Sequence, residues 1–230
     1  PKSPGVYLFY GKRKKLLYIG KASSLYSRVR SYFQKSANHS PAKTMMVGEI
    51  VTFETKDTDT EIEALLLEAN LIKKYQPPYN VLMRDDKSYA YIEITNEEFP
   101  TIKIVRQLNK EGRYFGPFTD MRAIREALKV LAKIFKWRPE KCKPHAGRPC
   151  FDFQIGRCPG TCVDAVNITE YKKKIRKIIW FFEGKKGKVV SEVKKELRAA
   201  KKGKDEEKIV ELEYQLFSLE KVLSHAHMIS

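Results

Sequence analysis

The spacing of apolar positions changes period along the first third of the chain, and each change marks a new element. Residues 6–10 and 16–19 are short β-favouring runs separated by Gly11-Lys12-Arg13-Lys14-Lys15, a polar turn opened by glycine, and together they predict a β-hairpin. The period then lengthens. Leu25, Val29 and Phe33 stand at i, i+4 and i+8 behind Ser23 and Ser24, either of which can cap a helix whose other side carries Arg28 and Arg30. Thr58-Asp59-Thr60-Glu61 matches a capping box. The helix it opens sets Ile62, Leu65, Leu66, Leu67, Leu71 and Ile72 nearly all round its surface before Pro77-Pro78 forbids continuation, so burial is expected.

Further on, alternation in Tyr91-Ile92-Glu93-Ile94-Thr95 and Ile102-Lys103-Ile104-Val105 predicts two more strands, and Tyr114-Phe115-Gly116-Pro117-Phe118 reads as a turn. Ile124, Leu128, Leu131 and Phe135 keep helical spacing behind Asp120, a cap candidate. From Thr169-Glu170 the chain is helical and lysine-rich, is broken at 184–187, and ends as two helices joined near Gly203. Ile209, Leu212, Leu216, Leu219 and Leu223 form a seam on the second, and a helical pair with one apolar stripe commonly docks on a partner. The expected class is α+β, with a first domain over 1–83, a linker region over 84–140, a four-cysteine loop over 141–168 and a helical region over 169–230.

A length of 230 residues accommodates two or more such units. Lys+Arg 45 against Asp+Glu 28 gives 45 − 28 = +17, a surplus that points to a polyanionic partner, with nucleic acid leading; a solvated lysine coat is the bland alternative, and charge alone does not separate them. No stretch approaches the roughly 20 apolar residues of a membrane span, and the first residues lack a secretory apolar run, so a cytoplasmic protein without membrane association is expected. The first residue is not Met, and the last helix runs out in His225-Ala226-His227 without a stop signal, so trimmed ends are expected.

Glu68 is the clearest candidate for chemistry, because its helix neighbours three and four residues away are Ala64, Leu65, Leu71 and Ile72. An ionised carboxylate on that face costs several kcal/mol unless it is paired or binds a cation. A pocket floor holding a hard divalent metal is one reading, and a buried salt bridge to lysine or arginine is the other. Tyr7, Tyr18, Tyr26 and Tyr32 share a segment with Lys21, Arg28 and Arg30. Such cations can grip a phosphodiester, and their charge is expected to lower a phenol's pKa toward that of a usable base; ordinary strand tyrosines beside a phosphate-binding face are the alternative. Asp85 and Asp86, flanked by Arg84 and Lys87, read as a salt-bridged turn rather than metal ligands. Cys142, Cys150, Cys158 and Cys162 lie among turn residues, the pattern of an iron–sulfur or zinc centre, although the spacing lacks paired Cys-x-x-Cys knuckles. His145 reads as a bystander.

Gly5-Val6-Tyr7 followed by Tyr18-Ile19-Gly20 resembles the paired signature of GIY-YIG nucleases. Tyr18-Ile19-Gly20-Lys21-Ala22, Arg28-Val29-Arg30-Ser31-Tyr32-Phe33, Glu63-Ala64-Leu65-Leu66-Leu67-Glu68 and Tyr79-Asn80-Val81-Leu82 resemble the UvrC family of excision-repair incision nucleases. So do Arg84-Asp85-Asp86-Lys87-Ser88-Tyr89, Tyr114-Phe115-Gly116-Pro117 and the run from Arg148 to Cys158. The resemblance implies a small antiparallel sheet flanked by helices and a metal-dependent cut on the 3′ side of a lesion in double-stranded DNA presented by UvrB. It makes Tyr18 the leading candidate to activate water with Tyr7 beside it, Lys21 and Arg28 the phosphate grips with Arg30 along the DNA, and Tyr32 a lining residue. It also makes Glu68 the ligand of one Mg²⁺ or Mn²⁺ and Asn80 the residue that orients the site. For the four cysteines it implies a [4Fe–4S] cluster, with Zn²⁺ as the alternative, pinning a basic loop on DNA. The last two helices fall where the family carries a UVR hairpin that docks on UvrB, and Ala199-Ala200 fits it. Two residues depart from the pattern: Ser24 stands where asparagine is usual, and Asp205 where phenylalanine is. The nuclease and helix-hairpin-helix modules that normally follow are absent, which fits a fragment or a shortened homologue. A non-cutting DNA- and UvrB-binding scaffold and a zinc-stabilised RNA-binding protein are the competing readings.

Overall fold

The computed structural model describes residues 1–34, 39–82, 89–109 and 111–223. The expected aspartate turn at Asp85 and Asp86 falls outside them. Two compact units emerge: Pro1–Ala90 with Gly116–Met121, and Tyr91–Phe115 with Arg122–Lys221.

In the first unit, β1 (Gly5–Tyr10) and β2 (Leu16–Ala22) form the expected antiparallel hairpin, joined through a short 3₁₀ turn at Lys12–Lys14. β1 is the central strand of the order β2-β1-β3. Its alternation feeds two cores. Tyr7 and Phe9 pack with Leu25, Val29 and Tyr32 of α1 (Leu25–Tyr32), whereas Val6 and Leu8 pack with Leu71 and Ile72 of α3 (Glu61–Tyr75). Each buried large side chain contributes about 1.5–3 kcal/mol, so the sheet is held from both faces. Two elements went unread in the sequence, α2 (Pro41–Glu49) and the edge strand β3 (Thr52–Asp57), whose residues are nearly all exposed.

Helix starts differ from expectation in detail. Ser24 is the N-cap of α1, yet its hydroxyl meets that of Ser27 at 3.3 Å rather than a backbone N–H. The capping box of α3 sits two residues later than expected: Thr60 Oγ1 accepts from the Glu63 N–H at 3.1 Å, and Glu63 Oε2 accepts from the Asp59 N–H at 3.1 Å. α3 ends at Gln76 in a left-handed conformation (φ 45°), ahead of the short helix α4 (Pro78–Leu82).

In the second unit, the two expected strands form as β4 (Ala90–Ile94) and β5 (Ile102–Val105), and they pair antiparallel. The expected turn at 114–118 is a strand, β6 (Arg113–Phe118), at one edge of the order β5-β4-β6. An edge tolerates Pro117, which has no N–H to donate. α5 (Met121–Phe135) buries Ile124, Leu131 and Phe135. α6 (Phe151–Gln154) lies within the cysteine loop.

Three helices follow: α7 (Ile168–Phe182), α8 (Lys186–Gly203) and α9 (Glu206–Leu223). Ion pairs Lys201–Glu213 (2.8 Å) and Lys194–Glu220 (3.9 Å) link α8 and α9. Of the expected seam, Leu212, Leu219 and Leu223 are buried and Ile209 and Leu216 half-buried. No helix among the described residues is long and apolar enough to cross a membrane.

Candidate active site

On the α1 side of the sheet, Tyr7 and Gly20 stand directly opposite each other in the β1–β2 ladder. A side chain at Gly20 would collide with the Tyr7 hydroxyl, so glycine here is what lets the ring cross β2. The Tyr7 and Tyr32 hydroxyls then meet at 2.9 Å. Arg28 Nε donates to Tyr7 Oη at 3.4 Å, and its guanidinium lies 5.3 Å from the Tyr32 ring centroid. Tyr18, half-buried, tilts against Tyr7 with centroids 6.1 Å apart. α2 brings Lys43 within 5.8 Å of the Tyr32 ring and His39 stacks on that ring at 5.9 Å, neither of which any local pattern of residues announces.

The phenols do not behave as expected beside these cations. Burial pushes the Tyr7 and Tyr18 hydroxyls well above the usual tyrosine pKa; neighbouring tyrosines add to the rise, as does Glu68 in the case of Tyr18, and Arg28 only partly opposes it. Desolvation outweighs the guanidinium here, which corrects the expectation of a lowered pKa.

Glu68, on α3, is 2% exposed. Its Oε1 accepts from the Lys21 backbone N–H at 2.9 Å and its Oε2 from the Thr119 hydroxyl at 3.0 Å. Burial lifts its pKa to about 7, against the lowering effect of those two bonds and of the Lys21 charge. The Lys21 ammonium is taken instead by Asp120, at 2.9 Å. Among the described residues no lysine or arginine forms an ion pair with Glu68, so the buried-salt-bridge alternative lacks a partner there. A desolvated carboxylate that meets only neutral donors fits a hard divalent cation, for which its remaining lone pairs are suited.

Asn80 engages the backbone of β2: its Oδ1 accepts from the Ile19 N–H (2.8 Å) and its Nδ2 donates to the Ile19 carbonyl (2.9 Å), fixing β2 between Tyr18 and Gly20. Arg30 turns away, donating to Tyr26 Oη at 3.3 Å on an exposed surface. Thr119 and Asp120 join the site from far along the chain, and no local pattern announces them.

In the second unit, the thiols of Cys142, Cys150 and Cys162 lie within 4.8 Å of one another, and Cys158 Sγ is 3.8 Å from Cys150 Sγ. All four are free of disulfides, and burial pushes Cys158 up to about 12. Four convergent thiols, three of them buried and one half-buried, fit a metal or cluster, which supplies positive charge for their thiolates. His145 is engaged elsewhere, with Asp164 at 2.6 Å and Glu98 at 3.3 Å.

Residues 3–81 match the UvrC-like GIY-YIG domain, and residues 89–181 match the middle domain of UvrC/Cho excinucleases. The UvrABC system protein C of Carboxydothermus hydrogenoformans is 42% identical over 229 residues, covering 97% of this chain and 37% of that protein. That of Alkaliphilus oremlandii is 41% identical over 237 residues, covering 100% and 38%. The chain thus spans less than two-fifths of the length of these relatives. The magnesium-bound GIY-YIG N-terminal endonuclease domain of UvrC from Thermotoga maritima is 44% identical, with 35% of this chain and 85% of that one covered and a TM-score of 0.31.

Proposed function

The chain belongs to the UvrC family, and from that premise we propose that it acts as a divalent-metal-dependent endonuclease of nucleotide excision repair, cutting one strand of damaged double-stranded DNA on the 3′ side of a lesion presented by UvrB. In this reading residues 1–83 form the nuclease domain, 84–140 a linker region, 141–168 the thiol centre and 169–230 a helical region with a UVR-like hairpin, and the protein works in the cytoplasm.

The observation that carries the reading is Glu68: a carboxylate 2% exposed, bonded among the described residues only to neutral donors, beside phenols and cationic side chains. Glu68 would hold one Mg²⁺ or Mn²⁺, which supplies Lewis-acid stabilisation of charge on the phosphate. Lys21 and Arg28 grip the non-bridging oxygens, with Lys21 leaving Asp120 to do so. Tyr18 would act as the phenolate, the form that Arg28 and a cation at Glu68 favour, and take one proton of the attacking water to become the neutral phenol. Among the described residues its hydroxyl has no hydrogen-bond partner, whereas that of Tyr7 is tied to Tyr32 and Arg28, so Tyr18 is the phenol available to accept it. As that proton leaves, the water oxygen bonds to phosphorus and the bond to the neighbouring nucleotide's oxygen breaks, its electron pair going to that oxygen, which takes a proton from solvent. Tyr7 and Tyr32 hold Arg28, and Asn80 holds the strand that bears Tyr18. Arg30 contributes an outlying contact to the DNA backbone.

For the four thiols the reading is a [4Fe–4S] cluster with a structural role. Zinc remains the second reading on a specific observation: tetrahedral Zn–S bonds of about 2.3 Å separate thiolates by about 3.8 Å, close to the Cys150–Cys158 spacing. For UvrB, the support is a second apolar row on α9, Val210, Tyr214 and Phe217, each more than half exposed. Asp205 departs from the family residue for a local reason, since its Oδ1 caps α9 by accepting from the Lys208 N–H at 3.1 Å.

The test is incision of an end-labelled, lesion-bearing duplex with and without UvrB. The expected result is a Mg²⁺-dependent 3′ cut that Glu68→Ala abolishes while DNA binding persists. Unchanged cutting by that variant removes the metal site, and DNA binding without any cutting by the wild-type chain favours the scaffold reading.

A further inference from the structure

Residues 116–121 lie outside the stretch that matches the GIY-YIG domain and inside the stretch that matches the middle domain, yet they belong to the first compact unit. They bring Thr119 to Glu68. One oxygen of that carboxylate is fixed by the backbone N–H of Lys21 and the other by the Thr119 hydroxyl, from 51 residues further along the chain. The torsion that turns a glutamate carboxylate about its last bond is broad, with no strong preference of its own. The direction in which Glu68 presents its free lone pairs is therefore set by these two donors. Only one of them is a side chain. Thr119 is itself exposed, so its β-carbon fills no core position and its hydroxyl is the part that matters to the site.

We infer that Thr119 is a positioning residue of the nuclease site, supplied from beyond the GIY-YIG segment, and that its hydroxyl aims the Glu68 carboxylate for a divalent cation. This rests on the reading of Glu68 as the cation's ligand. Hydrogen bonds behind a metal-binding carboxylate typically change metal affinity by about 10–100-fold when removed, because the ligand must then be ordered at the moment of binding. Asp120 reinforces the arrangement by holding the Lys21 side chain, whose own backbone N–H is the second donor to Glu68.

The experiment is titration of Mn²⁺ into the DNA-free chain at neutral pH, followed by calorimetry or by loss of the free-ion electron-spin-resonance signal, with thermal unfolding in EDTA alongside. T119V keeps the shape of the side chain and loses the hydroxyl; affinity is expected to fall about 10-fold or more, with the unfolding temperature unchanged. T119S restores the hydroxyl and is expected to bind within about threefold of wild type. E68Q is expected to bind no Mn²⁺ at this site. Wild-type affinity in T119V, while E68Q fails to bind, overturns the role of Thr119 and leaves Glu68 in place. A T119S variant as weak as T119V also overturns it, since the hydroxyl would then not be the active element. Wild-type binding by E68Q removes the underlying reading itself.

Discussion

Asn80 stands to Ile19 as a paired strand residue would, its carboxamide both accepting from the Ile19 N–H and donating to the Ile19 carbonyl, at 2.8 and 2.9 Å. β2 lies at the edge of the order β2-β1-β3, so its outer backbone groups need partners from elsewhere. α4 delivers one side chain that satisfies a donor and an acceptor at once, on the residue between Tyr18 and Gly20.

Asn80→Ala is therefore expected to leave a buried N–H and a buried C=O unpaired. At about 1–3 kcal/mol for each orphaned group, the loss of stability is expected to reach about 2–4 kcal/mol, read by urea unfolding. Asn80→Asp keeps the acceptor but sets a buried carboxylate oxygen against the Ile19 carbonyl, and it is expected to lose at least as much. A change in alanine below about 0.5 kcal/mol, the usual size of a surface substitution, would show that the carboxamide does not hold the strand.

Gly20→Ala tests the close approach of Tyr7. The added methyl meets the Tyr7 hydroxyl, and overpacking of this kind costs about 1–3 kcal/mol. The ring must move, breaking its 2.9 Å bond to Tyr32 and its contact with Arg28. Cutting is expected to drop by more than tenfold, measured in single-turnover nicking, while DNA affinity changes little. Full activity in Gly20→Ala would mean that the Tyr7 hydroxyl has no part in the site.

Metal-free protein is expected to lose stability as pH rises. Glu68 has its pKa raised from 4.5 to about 7 in the folded chain, so between those values the folded state holds a proton that the unfolded state releases. The stabilising effect of that proton is complete below about 4.5 and is lost as pH climbs through about 7. At 1.36 kcal/mol per pH unit the difference is about 3 kcal/mol. Denaturant titrations in EDTA at pH 5 and pH 8 read it against Glu68→Gln, which is expected to flatten this part of the profile; an identical slope in both proteins would place the titration on another group. Added Mg²⁺ is expected to restore stability mainly on the alkaline side.

For the thiol centre, anaerobically purified protein is expected to be brown with a broad visible absorbance, and Cys158→Ser to lose the colour together with stability of the second unit. Colourless protein that carries about one equivalent of zinc by elemental analysis decides for zinc. Colourless protein with neither metal, and with wild-type stability in Cys158→Ser, removes the centre.

The hairpin β1–β2 and helix α3 were legible because their apolar periodicity is local and strong, and Glu68 stood out because a charge interrupts that periodicity. β3 was not legible: Thr52, Phe53, Glu54, Lys56 and Asp57 are all exposed, so the strand is defined by its ladder with β1 rather than by a buried face. The capping box was displaced because Thr58 and Thr60 each precede an acid at box spacing, and only the folded backbone chooses between them. The 113–118 segment resembled a turn because Gly116 and Pro117 dominate a local reading, while an edge position admits both. Thr119 left no trace in the sequence, since nothing short of tertiary contact relates it to Glu68.

The return of 116–121 to the first unit makes the boundary between the two family segments a poor place to cut and rejoin genes. A chimera joined at residue 85 would present Glu68 of one parent to the 119th residue of the other, and it is expected to hold the cation as tightly as either parent only where that residue also carries a hydroxyl.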